Sequence, residues 1–320
     1  MREIRYMQAL NEALADEMSR DEKVFIIGED VTQGSFGVTS GLIDRFGKDR
    51  VMDTPLAETA IAGAALGSAM AGYRPVAEIM FGDFMFVAAD EIFLKAAKWR
   101  FIHGGLVNLP LVFLMAIGGY IKLGAEHSQC PETHVMHTPG LKLVIPSTPY
   151  DAKGLMKTAI RDNNPVIFFY HKLLLGSSGP VPEEDYDIPF GQADVKREGT
   201  DVTIVATGLM VNYSLGIAQA MADKVSIEVI DPRTLEPLDM DTIVESVKKT
   251  GRLVIVDEDT KRCGPAAEIG MQVMENAFDY LDAPIQRVAA ANMPIPGGVM
   301  EKYVLPQTDD IVAAVQAVMG

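Results

Sequence analysis

Two periodicities take turns along the first half of the chain. Ile4, Met7, Leu10, Leu14 and Met18 recur at helical spacing with charged residues between them, which predicts an amphipathic helix over residues 3–19. Val24-Phe25-Ile26-Ile27-Gly28 is wholly apolar, as expected of a strand covered on both faces. Further strands are predicted at Val76–Met80, Leu109–Met115, Leu143–Ile145 and Val166–Tyr170, and helices over 57–71, 84–101 and 150–162. Strand and helix in alternation make an α/β domain with a parallel sheet. Around 174–199 the periodicity stops. Gly176-Ser177-Ser178-Gly179-Pro180 and Pro182-Glu183-Glu184-Asp185 are turn formers and read as a linker. The alternation then resumes, with strands at Val202–Ala206, Ile227–Ile230 and Leu253–Val256 and helices near 211–222, 239–249, 264–277 and 308–319. The pattern therefore predicts two α/β domains, over 1–185 and 186–320.

Composition narrows the function classes. A chain of 320 residues, 48% of them apolar, can fill two cores. Its formal net charge of −16 disfavours nucleic acid and anionic membrane as partners. Two cysteines, Cys130 and Cys263, are too few for a disulfide scaffold or a four-ligand metal site and suit a reducing compartment. Met1–Tyr6 carries charges and no signal-like apolar core, and no run reaches the ~18–20 apolar residues of a membrane span. A cytoplasmic location is expected.

Candidate chemistry gathers at a few places. Arg50-Val51-Met52 leads through Asp53-Thr54-Pro55 to a helix rich in Ala and Gly, and Glu58 is the one acid at its mouth. A helix N-terminus welcomes a carboxylate on general grounds. Gly63 and Gly67 add a face that another backbone can approach closely, which suits a buried site. Glu29 follows the first strand, at the edge where ligands of parallel sheets gather, and reads equally as a solvated turn acid. Phe81, Phe84 and Phe86 read as core packing or as a face for a flat ring. Of five histidines, His127 stands apart because Gly118, Gly119 and Gly124 precede it, as in an active-site loop.

Taken in order, Gly28-Glu29-Asp30-Val31, Asp53-Thr54-Pro55-Leu56-Ala57-Glu58, His127-Ser128-Gln129, Pro149-Tyr150-Asp151-Ala152-Lys153-Gly154-Leu155 and Arg161-Asp162-Asn163-Asn164-Pro165 form a specific set. The set resembles, nearly end to end, the β subunits (E1β) of the thiamine-diphosphate-dependent 2-oxo acid and acetoin dehydrogenase complexes. That resemblance implies a pyrimidine-type thiamine-diphosphate-binding domain followed by a transketolase C-terminal-like domain.

It also implies roles. Glu58 would drive tautomerisation of the cofactor's aminopyrimidine, which needs a carboxyl group within hydrogen-bond reach of the ring. Leu56, Phe84 and Glu29 would line the cofactor. His127 would serve acyl transfer to a lipoyl group, a task that suits imidazole near neutral pH. Leu111, Ala159, Ile160, Asp162 and Asn164 occupy the positions at which several relatives bind a monovalent cation, potassium among them. The chain lacks a Gly-Asp-Gly segment with a downstream Asn pair, so magnesium and the diphosphate would be held by a separate α subunit. The expected assembly is an α2β2 heterotetramer working with a lipoyl acyltransferase (E2) on a 2-oxo acid or acetoin. Leu94 and Leu114 stand where such chains commonly carry Asn and Arg, which bears on substrate and subunit contacts. A split transketolase-like subunit without a lipoyl partner and a non-catalytic scaffold of the same fold are the alternatives.

Overall fold

A computed structural model describes every residue from Met1 to Gly320. The chain divides into two compact units. The first comprises Met1–Ile117 and His134–Phe190, the second Gly118–Thr133 and Gly191–Gly320. The division thus falls between Phe190 and Gly191, and a short segment from the middle of the first unit's sequence folds with the second.

In the first unit the strands are β1 (Arg2–Arg5), β2 (Val24–Gly28), β3 (Val51–Asp53), β4 (Arg74–Phe81), β5 (Leu111–Ile117), β6 (Lys142–Val144), β7 (Pro165–His171) and β8 (Ser178–Val181). Its main sheet runs β6-β7-β5-β4-β2-β3, with every pair parallel. β5 and β7 are buried at every position, which is why they read as unbroken apolar runs. The chain steps from β2 to β3 on one side, then crosses to β4 on the other. The junction of β2 and β4 is therefore the topological switch point, where loops leaving the carboxyl ends diverge and leave a crevice. Gly28 makes the junction possible, since a Cβ there would lie 2.5 Å from the Glu78 carbonyl oxygen.

The helices that matter are α1 (Tyr6–Arg20), α2 (Glu58–Met70) and α3 (Pro149–Arg161). α1 and α3 pack together through Leu10, Leu14 and Met18 on one side and Leu155, Met156 and Ile160 on the other. Ion pairs rim the seam: Lys153 with Glu12 at 2.9 Å, Lys157 with Asp16 at 2.8 Å and Arg161 with Glu17 at 2.7 Å. Thr148 caps α3 by accepting the Asp151 N–H, and Pro149 supplies the first turn.

Two expectations are revised here. Residues 3–5 are strand rather than helix, because Arg2–Arg5 pairs antiparallel with Ser178–Val181 inside the stretch read as linker. Pairing across the length of the unit overrides the local helical pattern. The helix expected over 84–101 is broken into a 3₁₀ turn (Gly82–Phe86), a π-helical turn (Asp90–Ala96) and a short α-helix (Ala97–Ile102).

The second unit has a sheet of five strands. Gln286–Ala290, Leu253–Thr260, Val202–Ala206 and Ile227–Asp231 run parallel, and Asp194–Arg197 closes one edge antiparallel. Its helices are Leu209–Ala220, Met240–Thr250, Pro265–Ala277 and Thr308–Met319. Asp239 caps the second of these by accepting the Thr242 N–H at 3.1 Å, and Gly251 ends it in the left-handed region at φ +71°. No helix of the chain is long and apolar enough to cross a membrane.

Candidate active site

Three consecutive neighbours in the first sheet deliver the predicted residues. Glu29 follows the carboxyl end of β2, Leu56 and Glu58 follow β3, and Phe84 follows β4. Parallel strands place these ends on one edge, so residues far apart in sequence converge because the strands pair. Asp53 fixes the turn after β3 by accepting the Thr32 N–H at 2.8 Å, with the Thr32 hydroxyl bonded to its second oxygen.

Glu58 opens α2 and is only 9% exposed. Its carboxylate makes no hydrogen bond within the chain. The carboxylate can therefore accept from an external donor, and a protonated ring nitrogen is such a donor. Glu29 is within electrostatic reach: burial raises its pKa, and the charges of Asp30 and Glu58 raise it further. Leu56 is 67% exposed, an apolar side chain left on the same edge.

Phe84 is half-buried, and its ring meets Phe81 edge-on at 5.6 Å. Phe81 in turn meets Phe36 at 5.6 Å and carries the Lys172 ammonium over its face at 5.0 Å. Phe86 is exposed and meets His134 at 4.8 Å. None of the three phenylalanines is therefore core; the buried residues of that turn are Gly82, Asp83 and Met85. The residues fit a flat heteroaromatic ring: an acceptor lacking a donor, an exposed apolar contact and an aromatic face on one sheet edge.

His127 belongs to the second unit. Its segment is a compact loop whose ends meet, the Gly118 N–H donating to the Gln129 carbonyl at 3.2 Å. His127 is half-buried, and its own N–H closes a turn onto Gly124. Ser128 is fully buried, and its hydroxyl has no partner.

The five residues matched to a cation site lie around the end of α3 and the starts of β5 and β7. Several of their oxygens already receive the chain's own cations. Arg74 donates one guanidinium nitrogen to the carbonyls of Ile160 and Asp162, both at 3.0 Å, and to that of Arg161 at 3.3 Å. Arg100 donates to the Asn164 side-chain oxygen at 2.7 Å, and Lys142 pairs with the Asp162 carboxylate. Burial works to raise the Asp162 pKa, but Lys142 and the two donors of Asn164 outweigh it and the net shift is down. Nowhere do three or more His, Cys, Asp or Glu side chains gather to hold a metal ion. Of the two departures, Leu114 is buried in β5 and Leu94 is half exposed on the π-helical turn.

Sequence reading passed over several buried acids, and one of them lies in the first sheet. Glu78 on β4 is fully enclosed, bonded to the Tyr170 hydroxyl at 3.4 Å, and burial pushes its pKa up to about 7. Its position inside an otherwise apolar strand, Val76-Ala77-Glu78-Ile79-Met80, was the available signal.

Residues 2–177 match the family described as transketolase, pyrimidine binding domain, and residues 191–311 match transketolase, C-terminal domain. The chain is 47% identical to an acetoin:2,6-dichlorophenolindophenol oxidoreductase subunit beta from Cupriavidus necator, covering 97% of this chain and 96% of that protein. It is 47% identical to a pyruvate dehydrogenase E1 component subunit beta from Rickettsia felis (99% and 98% covered). It is 45% identical to a 2-oxoisovalerate dehydrogenase subunit beta from Bacillus subtilis (97% of each). Among solved structures, a split gene transketolase described as an inactive beta4 tetramer shares the fold, with a TM-score of 0.80, 24% identity and coverage of 99% and 98%. The chain therefore belongs to the transketolase-like family, among the E1 β subunits of 2-oxo acid and acetoin dehydrogenases.

Proposed function

We propose that this chain is the β subunit of a thiamine-diphosphate-dependent E1 component that cleaves a 2-oxo acid or acetoin and passes the acyl group to a lipoyl carrier. The observation that carries the reading is Glu58: an almost buried carboxylate with no donor of its own, at the carboxyl edge of a parallel sheet and directly after Asp53-Thr54-Pro55-Leu56-Ala57. Bound thiamine diphosphate supplies a carbon nucleophile and an electron sink for breaking a bond next to a carbonyl. Glu58 would hold the proton exchanged with the cofactor's aminopyrimidine ring. Phe84 and Leu56 would pack on that ring and keep water off it. Glu29 lies beside them with a pKa raised by burial and by Glu58, and holds a proton more readily than an ordinary carboxylate. His127 carries the proton needed as the acyl group moves to the lipoyl sulfur.

The diphosphate and its magnesium belong to an α subunit in this reading, and a lipoyl acyltransferase accepts the product. α2 offers that partner a surface. Ala60, Ala64 and Gly67 lie exposed along one side of it, opposite the buried Ile61, Ala62, Ala65 and Leu66. Such a stripe permits close backbone approach, and an α2β2 assembly is the arrangement we infer. A monovalent cation at the end of α3 would share Ile160, Asp162 and Asn164 with Arg74, Lys142 and Arg100. A cytoplasmic setting accords with a reducing environment for Cys130 and Cys263.

Calorimetry with thiamine diphosphate and magnesium tests the half-site. The isolated chain is expected to bind weakly and turn nothing over. Mixing with its α subunit restores tight binding and turnover. Tight binding with turnover by this chain alone would overturn the reading.

A further inference from the structure

The loop that bears His127 contains no strand or helix of its own. It is nevertheless held at several points, all by residues that come much later in the sequence and all within the second unit. The Gly119 N–H donates to Oε1 of Glu258, and the Lys122 N–H donates to Oε2 of Glu301 at 3.1 Å. The Lys122 carbonyl accepts the Gly298 N–H at 3.4 Å. The Tyr120 hydroxyl reaches the Pro306 carbonyl at 2.7 Å, and its ring meets Tyr213 edge-on at 5.7 Å. At the far end the Thr133 hydroxyl donates to Asp259 at 2.6 Å.

Three features set Glu258 and Glu301 apart from ordinary loop anchors. Both are carboxylates buried to about 5% exposure, and they converge on one glycine. A Cβ on Gly119 would lie 3.0 Å from Glu301, 3.4 Å from Glu258 and 2.4 Å from Leu305, so the loop seats there only without a side chain. The backbone they grip is also unfavourable: Tyr120 and Lys122 have φ of +66° and +69°, conformations costing roughly 1 kcal/mol or more each for residues with a Cβ. Finally, Oε1 of Glu301 is buried with no partner, an expense that hydrophobic packing alone would not retain. Charge-assisted N–H bonds are about twice as strong as neutral ones and can hold a strained turn. The same N–H groups help to compensate two buried carboxylates that lie close to one another.

We propose that Glu258 and Glu301 are positioning residues that hold the loop 118–129 in one conformation and thereby present His127 for acyl transfer. Neither touches the reacting atoms in this scheme; they act through the backbone of Gly119 and Lys122. The proposal rests on the reading that His127 serves the transfer step.

The test uses the assembled α/β complex and three measurements: amide hydrogen exchange over 118–129, cofactor-dependent cleavage read with an artificial electron acceptor, and acyl transfer to a lipoyl domain. Glu301→Ala is expected to raise exchange at Lys122 and to slow transfer by about tenfold, with cleavage and the KM of the oxo acid or acetoin unchanged. Glu301→Gln keeps an acceptor oxygen and the side-chain length and should restore most of the transfer. Glu301→Asp, which keeps the charge but withdraws the oxygen by one methylene, should behave like the alanine variant and stands in for it if that variant does not fold. Unchanged exchange and transfer in Glu301→Ala and Glu301→Asp, while His127→Ala still abolishes transfer, overturns the positioning role and leaves the function intact. Normal transfer by His127→Ala overturns the reading of the function, and the positioning proposal with it.

Discussion

The strand-end site and the His127 loop are positioned by opposite means. Glu29, Glu58 and Phe84 each sit a few residues beyond a parallel strand, so the hydrogen-bonded ladder that builds the core also fixes them. His127 has no such support. Its place is set by single hydrogen bonds between an irregular loop and Glu258, Glu301, Gly298 and Pro306. The first arrangement suits a group that must meet a flat ring in one geometry. The second suits a group that meets a mobile carrier arriving from outside, because a loop can open locally at a fraction of the global stability.

The sharpest way to break this contrast is at Glu58. Glu58→Gln preserves size and burial but removes the proton that the ring must exchange, and turnover of the assembled complex should fall about a thousandfold, within the range usual for a lost general acid–base group. Thermal stability should be unchanged. Retained turnover would mean that the strand-end residues do not serve a thiamine cofactor. A second measurement probes the sheet beneath. Glu78 holds its proton up to about pH 7 in the folded chain, against an ordinary value of 4.5. A raised folded-state pKa gives stability that is present below the ordinary value and is lost as pH rises through the folded one. Between those limits the group accounts for a loss of about 3 kcal/mol at most. Denaturant midpoints at pH 5 and pH 8 should show wild type losing ground to Glu78→Gln at the higher pH. Parallel pH profiles would place Glu78 in a wetter setting than its burial implies. The smallest effect is expected at the end of α3. Replacing potassium with tetramethylammonium should lower Tm by less than about 2 °C, since Arg74, Arg100 and Lys142 already serve Ile160, Asp162 and Asn164. A fall of more than about 5 °C would show that a cation carries much of the load there.

The same contrast explains what could be read from sequence. β2, β5 and β7 announce themselves as apolar runs because both faces are covered, and the residues after them fall where strand ends must lie. The strand-end position of Glu29 was legible for that reason, whereas Glu58 and Phe84, which follow β3 and β4, were singled out through the resemblance of the motifs around them. Residues 3–5 were read as helix and 178–181 as linker, because each is a strand only by virtue of the other. Gln286–Ala290 went unnoticed for a related reason: an edge strand with two buried positions has little apolar signature. The partners of the His127 loop left no trace at all. Asp257-Glu258-Asp259 looks like a polar end to a strand, and nothing in its spacing says that Glu258 will accept a hydrogen bond from the Gly119 N–H.

The division of the chain bears on the order in which a ribosome delivers it. β1 waits for Ser178–Val181 before it can pair, so the first unit closes only when more than half the chain has emerged. The segment 118–133 has by then been synthesised, but Glu258 and Glu301 have not. At about 5–20 residues per second, the wait lasts on the order of ten seconds. Through that interval a closed first unit carries an unanchored His127 loop. The candidate residues of the two units are thus fixed at different moments of biosynthesis, and a nascent chain stalled before Glu258 would display the strand-end residues in place with the His127 loop still untethered.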